Sequence, residues 1–65
     1  MSVEELKADV KKLNARATQA KMDLHDLSED LPLGWENILT VAQRAHDAFA
    51  RLTEKRAALK QAEGG

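Results

Sequence analysis

His25 and Glu29 are four residues apart and form the best candidate pair of metal ligands in this sequence. Residues four apart lie on one face of a helix, where an imidazole and a carboxylate can bind the same transition-metal ion. Two ligands do not complete a metal site, so a second chain would have to supply the others across an oligomer interface. We expect a solvated histidine beside acids, and we keep a divalent transition metal at this pair as an alternative hypothesis.

Few side chains of this sequence are of types that act in catalysis. The chain has no Cys and no Tyr, and only His25 and His46 are expected to titrate near neutral pH. No glycine-rich phosphate loop is present, and Ser2 and Ser28 fit capping and helix-end roles. We therefore expect no enzymatic activity, no catalytic residue and no cofactor. His46 is expected to lie at an e position, on the boundary between the apolar seam and the solvated surface, and to donate a hydrogen bond.

Two long amphipathic helices must position these residues. Apolar side chains recur at alternating spacings of three and four from Val3 to Leu31, and the same alternation starts again at Trp35. That spacing is the heptad seam of coiled coils. Ser2 and Glu5 have the spacing of a capping box, which marks the start of the first helix.

The reversal between the two seams is short. Pro32 disfavours helical backbone at Leu31, and Gly34 permits a change of direction. Helices joined by so short a turn pack as antiparallel neighbours. The sequence predicts an all-α fold over residues 1–65, a single two-helix hairpin with helix 1 at about 3–30, a turn at 31–34 and helix 2 at about 35–62.

A lone hairpin would leave half of its apolar stripe in water, so we expect a homodimeric four-helix bundle. Residues 22–36 hold five carboxylates and no Lys or Arg, whereas residues 7–21 hold five Lys or Arg and one Asp. These charges favour a tip-to-tail antiparallel dimer, in which the acidic turn of one chain lies near the basic residues of the other. Ala8, Ala15 and Met22 recur at f positions, where charge is expected. They fit either simple helix propensity or a flat apolar surface for a further helix, in a tetramer or in a different protein. The expected oligomer core is Leu6, Val10, Leu13, Ala17, Ala20, Leu24, Leu27, Ile38, Ala42, Ala45, Phe49, Leu52 and Leu59.

The acidic end of helix 1 is the candidate partner-binding surface. Negative charge at a helix C-terminus is unfavourable because of the helix dipole, so a run of acids there favours a role in binding. Trp35 is expected to plug the end of the bundle against Leu31, with a role as a binding anchor as the alternative. The predicted surface comprises Asp23, His25, Asp26, Glu29, Asp30 and Trp35.

A basic stripe on helix 1 offers an alternative function. It contains Lys7, Lys11, Asn14, Thr18 and Lys21 at helical spacing, and a dimer could use it to bind RNA phosphates. The stripe has no aromatic residue for base stacking, and the net charge of the chain is −1. We therefore expect a solvated face and no nucleic-acid partner.

The hydropathy pattern indicates where the protein resides. The longest uninterrupted apolar runs are three residues long, at 48–50 and 57–59. Runs of that length predict neither a membrane span nor a signal peptide. We expect a cytoplasmic protein that does not bind membranes.

The run Lys21-Met22-Asp23-Leu24-His25-Asp26-Leu27, with Glu29, Leu31-Pro32 and Trp35 after it, resembles a family of small bacterial proteins encoded within nitrogen-fixation gene clusters. The likeness extends from about Glu4 through Val41-Ala42, and more loosely into helix 2. The resemblance implies a Rop-like hairpin that assembles into bundles and serves as an accessory to nitrogenase or to the maturation of its cofactor. Its expected partners are nitrogenase components or assembly proteins. Neither catalytic residues nor RNA binding follow from that architecture.

Overall fold

The computed structural model describes residues 2–64, and its first helix, α1, spans Val3–Asp30. The Ser2 hydroxyl accepts a hydrogen bond from the Glu5 N–H at 3.1 Å. Such a cap satisfies a backbone donor that has no partner within the helix, and it is worth about 1 kcal/mol. The acidic side chains of Glu4 and Glu5 lie at the positive end of the helix dipole, which stabilises this end further.

The turn that follows α1 depends on a proline and a glycine. Leu31 has an extended backbone with ψ of 140°, because the ring of Pro32 disfavours helical backbone at the preceding residue. Gly34 has φ of +76°, a left-handed conformation that glycine adopts without steric cost. A Cβ atom at Gly34 would also lie 3.2 Å from Cδ1 of Leu27, so space and conformation both restrict this position.

One turn of 3-10 helix, Trp35–Asn37, precedes the second helix, α2, which spans Ile38–Ala62. The Asn37 N–H donates to the Gly34 carbonyl at 2.9 Å in the i→i+3 pattern of that turn. The α-helical part of this segment thus begins at residue 38, after the predicted start at 35. A 3-10 residue advances by about 120° instead of 100°, so the side chain of Trp35 lies nearly in line with that of Ile38, three residues later.

The helices lie side by side in antiparallel orientation, and the Cα trace measures 47 × 16 × 14 Å. The architecture is all-α, and residues 2–64 contain no strand. Neither helix within this range is long and apolar enough to cross a bilayer. Four apolar side chains of the described range are buried, all at predicted seam positions: Leu6, Ala17, Ala45 and Leu52.

Polar contacts join the helices along both edges of the hairpin. On the Asn14 edge, Nη2 of Arg56 donates to Oδ1 of Asn14 at 3.3 Å. On the Asp9 edge, Nζ of Lys55 lies 3.7 Å from Oδ2 of Asp9. Residues seven apart return to nearly the same side of a helix, so each edge can be followed along the chain in steps of seven. The two edges present different chemistry.

Candidate functional site at the acidic turn

The acidic turn is a group of five exposed carboxylates around the chain reversal: Asp23, Asp26, Glu29, Asp30 and Glu36. The last turn of α1 contains no basic residue, and residues 22–36 contain no Lys or Arg. The carbonyl groups at a helix C-terminus carry partial negative charge, so an acid there raises the free energy of the helix by about 0.3–1 kcal/mol. A cation that compensates this charge has to come from another molecule or from solvent.

His25 lies inside the acidic turn and contacts one of its carboxylates. Nε2 of His25 is 2.5 Å from Oε1 of Glu29, and both side chains are more than half exposed. The Ser28 hydroxyl donates to the His25 carbonyl at 2.7 Å, as expected for a helix-end serine. Within the described chain, no group of three or more His, Cys, Asp or Glu is placed to hold a metal ion. The metal hypothesis therefore needs ligands from a second chain.

The other carboxylates on α1 project separately. Asp23 accepts a hydrogen bond from Nε2 of Gln19 at 2.9 Å, which holds it against the helix surface. Asp26 and Asp30 are four residues apart, both exposed, and like charges at that spacing repel each other. The structure thus brings Asp26 and Asp30 to one helix face, close to the His25–Glu29 pair.

An apolar tip lies beside the acidic turn and consists of Leu31, Leu33, Trp35 and Leu39, which are 40%, 76%, 62% and 83% exposed. The prediction that Trp35 plugs the end of the bundle against Leu31 concerns the assembled bundle and stays a prediction, because in the single hairpin both side chains are exposed. In the 3-10 turn the side chain of Trp35 lies nearly in line with that of Ile38, an exposed seam residue, and the backbone of Leu31 has left the helical conformation. An exposed Trp among leucines and carboxylates has the composition of a protein-binding anchor.

The predicted oligomer core divides into three groups by exposure. The four buried residues lie within the hairpin itself, and six are half-buried: Val10, Leu13, Ala20, Leu27, Ala42 and Leu59. Three remain exposed, namely Leu24, Ile38 and Phe49, and we call them the apolar face. Phe49 is seven residues before Arg56 and so belongs to the Asn14 edge. The hairpin leaves a part of its own seam uncovered.

The basic stripe of helix 1 is exposed along its whole length. Two of its five members are engaged within the hairpin: Nζ of Lys7 lies 3.7 Å from Oε2 of Glu63, and Asn14 accepts from Arg56. Exposed ion pairs of this kind contribute little stability, about 0–1 kcal/mol. RNA binding by this stripe stays a prediction.

Helix α2 carries His46, for which a hydrogen bond was predicted, and several polar groups that sequence reasoning did not single out. His46 is exposed, and its Nδ1 lies 3.3 Å from Oδ1 of Asp47, which also accepts from Nε2 of Gln43 at 2.8 Å. Hydrogen bonds from His46 and Gln43 hold the pKa of Asp47 below its ordinary value. Arg44 and Arg51 are seven residues apart, a spacing that could have indicated a basic edge of α2.

Comparison with known proteins agrees with this architecture. A family model described as Rop-like matches residues 1–64. A UPF0437 protein of Azorhizobium caulinodans is 52% identical over 63 residues, which cover 97% of this chain and 91% of that protein. A UPF0437 protein in the nifX-nifW intergenic region of Frankia alni is 56% identical over 43 residues, covering 66% of this chain and 52% of that protein.

The fold is also similar to a solved structure, the NMR structure of a target of the Northeast Structural Genomics Consortium. The two superpose with a TM-score of 0.89 at 52% sequence identity, covering 100% of this chain and 94% of the other. The resemblance predicted from the run around His25 is thereby confirmed, and the chain belongs to the Rop-like family.

Proposed function

We propose that this chain is a non-enzymatic accessory protein of nitrogen fixation that acts as an interaction module for other proteins. Its similarity to the Frankia alni protein, named for the nifX-nifW intergenic region, supports that setting. The expected partner is a nitrogenase component or a protein that matures the nitrogenase cofactor. The binding surface is the acidic turn together with His25 and Trp35.

The observation that carries this proposal is the uncompensated charge of the acidic turn beside an exposed tryptophan. Acids at the C-terminal end of α1 weaken the helix, so folding stability does not account for them. Trp35 is 62% exposed, which gives a partner an aromatic group to bury. A complementary partner surface has lysines or arginines around an apolar pocket.

Neutralisation of the acidic turn tests the proposal. The variant Asp26→Asn with Glu29→Gln and Asp30→Asn should weaken capture of purified nitrogenase components and assembly proteins by about tenfold, since three interfacial charge pairs are lost. The matched control has the same change in charge far from the turn: Glu4→Gln, Glu54→Gln and Glu63→Gln. Capture by the first variant at the wild-type level would remove the proposal.

We further propose that two hairpins associate as a homodimeric four-helix bundle through the apolar face. Among residues 2–64 only four apolar side chains are buried, and the exposed seam residues are the ones that a second copy can cover. In sedimentation at micromolar concentration, the wild type should be a dimer and the variant Phe49→Asp should be a monomer. The control variant Leu39→Asp, which lies outside the apolar face, should remain a dimer. A folded, heat-resistant wild-type monomer at that concentration would contradict the dimer.

Metal binding is a second candidate, favoured by the contact between His25 and Glu29. The remaining ligands would come from another chain of the oligomer. Calorimetric titration with Zn²⁺ should show a heat that His25→Ala abolishes. Equal heats for the wild type and the variant would eliminate the site.

RNA binding through the basic stripe is the third candidate, because its lysines are exposed along one face of α1. Retardation of a structured RNA should fall steeply with salt and disappear in the variant Lys7→Ala, Lys11→Ala, Lys21→Ala. No retardation at low salt would end this hypothesis.

A further inference from the structure

A groove runs between the two helices along the Asp9 edge. It consists of two adjoining depressions of about 440 and 240 Å³, and both are lined by Leu13, Arg16 and Arg51. The smaller depression adds Arg44 and Ala48. We call this feature the arginine groove. It combines an apolar lining with guanidinium groups.

The three guanidinium groups of the arginine groove are available to a ligand. Arg16, Arg44 and Arg51 are exposed, and none of them forms an ion pair within residues 2–64. Two of the carboxylates that line the groove already have partners. Asp9 pairs with Lys55, and Asp47 accepts hydrogen bonds from α2 side chains. Over the whole lining, five cationic side chains face three carboxylates, so positive charge is in excess: Lys12, Arg16, Arg44, Arg51 and Lys55 against Asp9, Asp47 and Glu54.

The arginine groove lies away from the apolar face. Lys55 pairs with Asp9, and Ala48, seven residues before Lys55, lies on the same edge. Arg56 contacts Asn14, and Phe49, seven residues before Arg56, lies on that other edge. A dimer formed through Phe49, as proposed above, leaves the arginine groove open on each hairpin. Two arginine grooves cannot pack against each other favourably, because their guanidinium groups would repel.

We propose that the arginine groove binds an acidic helical segment of a partner protein, at a site separate from the acidic turn. Guanidinium groups bind carboxylates in bidentate geometry. Arg44 and Arg51 are about 10 Å apart along α2, the rise of seven helical residues, so they match two acids seven residues apart on a partner helix. Leu13 and Ala48 contact the apolar side chains between those acids.

The lining of the arginine groove favours a peptide over a nucleic acid. Glu54 lines the larger depression, and its carboxylate would repel a chain of phosphates. No aromatic residue lines either depression among the described residues, so there is no platform for base stacking. A peptide tolerates a nearby carboxylate, because its own lysines or backbone N–H groups can pair with it.

A designed peptide tests this proposal. The probe is a 15-residue alanine-rich helical peptide with glutamates seven residues apart, and its counterpart has glutamine at those positions. Titration into ¹⁵N-labelled protein should shift resonances of residues 12–16 and 44–55 with the glutamate peptide only. Arg16→Gln with Arg51→Gln should weaken binding about tenfold or more, since two charge-assisted contacts are lost.

The control variant is Lys11→Gln with Lys60→Gln, which has the same change in net charge on other exposed faces, and it should bind within about twofold of wild type. Circular dichroism at 222 nm checks that both variants stay helical. An equal loss of binding in the control would overturn the proposal in favour of unspecific charge attraction. Tighter, arginine-dependent binding of single-stranded DNA of equal charge would overturn it in favour of a nucleic-acid site.

Discussion

The acids at the end of α1 should make the protein less stable than it could be, and neutralising them should raise its stability. Asp30 lies at the last position of α1, where a carboxylate costs about 0.3–1 kcal/mol. Asp26 lies four residues before it, and a like-charge pair at that spacing costs about 0.2–0.5 kcal/mol more. The variant Asp26→Asn with Asp30→Asn should therefore gain about 0.5–1.5 kcal/mol, and it leaves the His25–Glu29 contact intact.

The assay is thermal unfolding followed by circular dichroism at 222 nm, where about 1 kcal/mol corresponds to about 4–8 °C in Tm for a domain of this size. The gain should shrink in 1 M NaCl, because the screening length falls to about 3 Å. The control, Glu4→Gln with Glu5→Gln, makes the same change in net charge at the favourable end of the dipole, so its Tm should fall. Two results would contradict a role of the helix dipole. One is a fall in Tm for Asp26→Asn with Asp30→Asn, and the other is a change in Tm of the same sign in this variant and in the control.

Three further predictions concern the hairpin itself. Leu52→Ala should lower the free energy of unfolding, measured by urea titration, by about 2–5 kcal/mol, because the Leu52 side chain is 2% exposed. The control Leu39→Ala should change it by less than about 0.5 kcal/mol, because Leu39 is 83% exposed. Gly34→Ala should lower the Tm through a cost of about 1–2 kcal/mol, because φ is +76° there, and an unchanged Tm would contradict the turn geometry. The pKa of Asp47 in the folded protein is lowered from its ordinary value of 3.8. The ionised Asp47 carboxylate therefore stabilises the fold above pH 3.8, and this stabilisation is lost as the pH falls through the folded-state pKa. An NMR titration should show that Gln43→Ala raises this pKa, and no rise would exclude the hydrogen bond as a cause.

Several features of the hairpin follow from local sequence. The heptad spacing, the serine cap at Ser2 and the Pro32-Gly34 reversal each act over a few residues, so they predict two helices and a tight turn without knowledge of their packing. The acidic turn was likewise visible as a run of carboxylates without lysine or arginine. The run around His25 was specific enough to identify the family.

The exposure of individual seam residues could not be read from spacing. The rotation of each helix about its own axis decides that Leu52 is buried whereas Phe49 is 42% exposed. The arginine groove likewise depends on helix packing, because Arg16 and Arg51 are 35 positions apart in sequence and line one groove only when the helices pack. The helices, their ends and the charged turn depend on neighbours within a turn or two, so they can be predicted from local sequence. Which faces the helices cover and which they leave to partners depends on the rotation of one helix against the other, and therefore on packing.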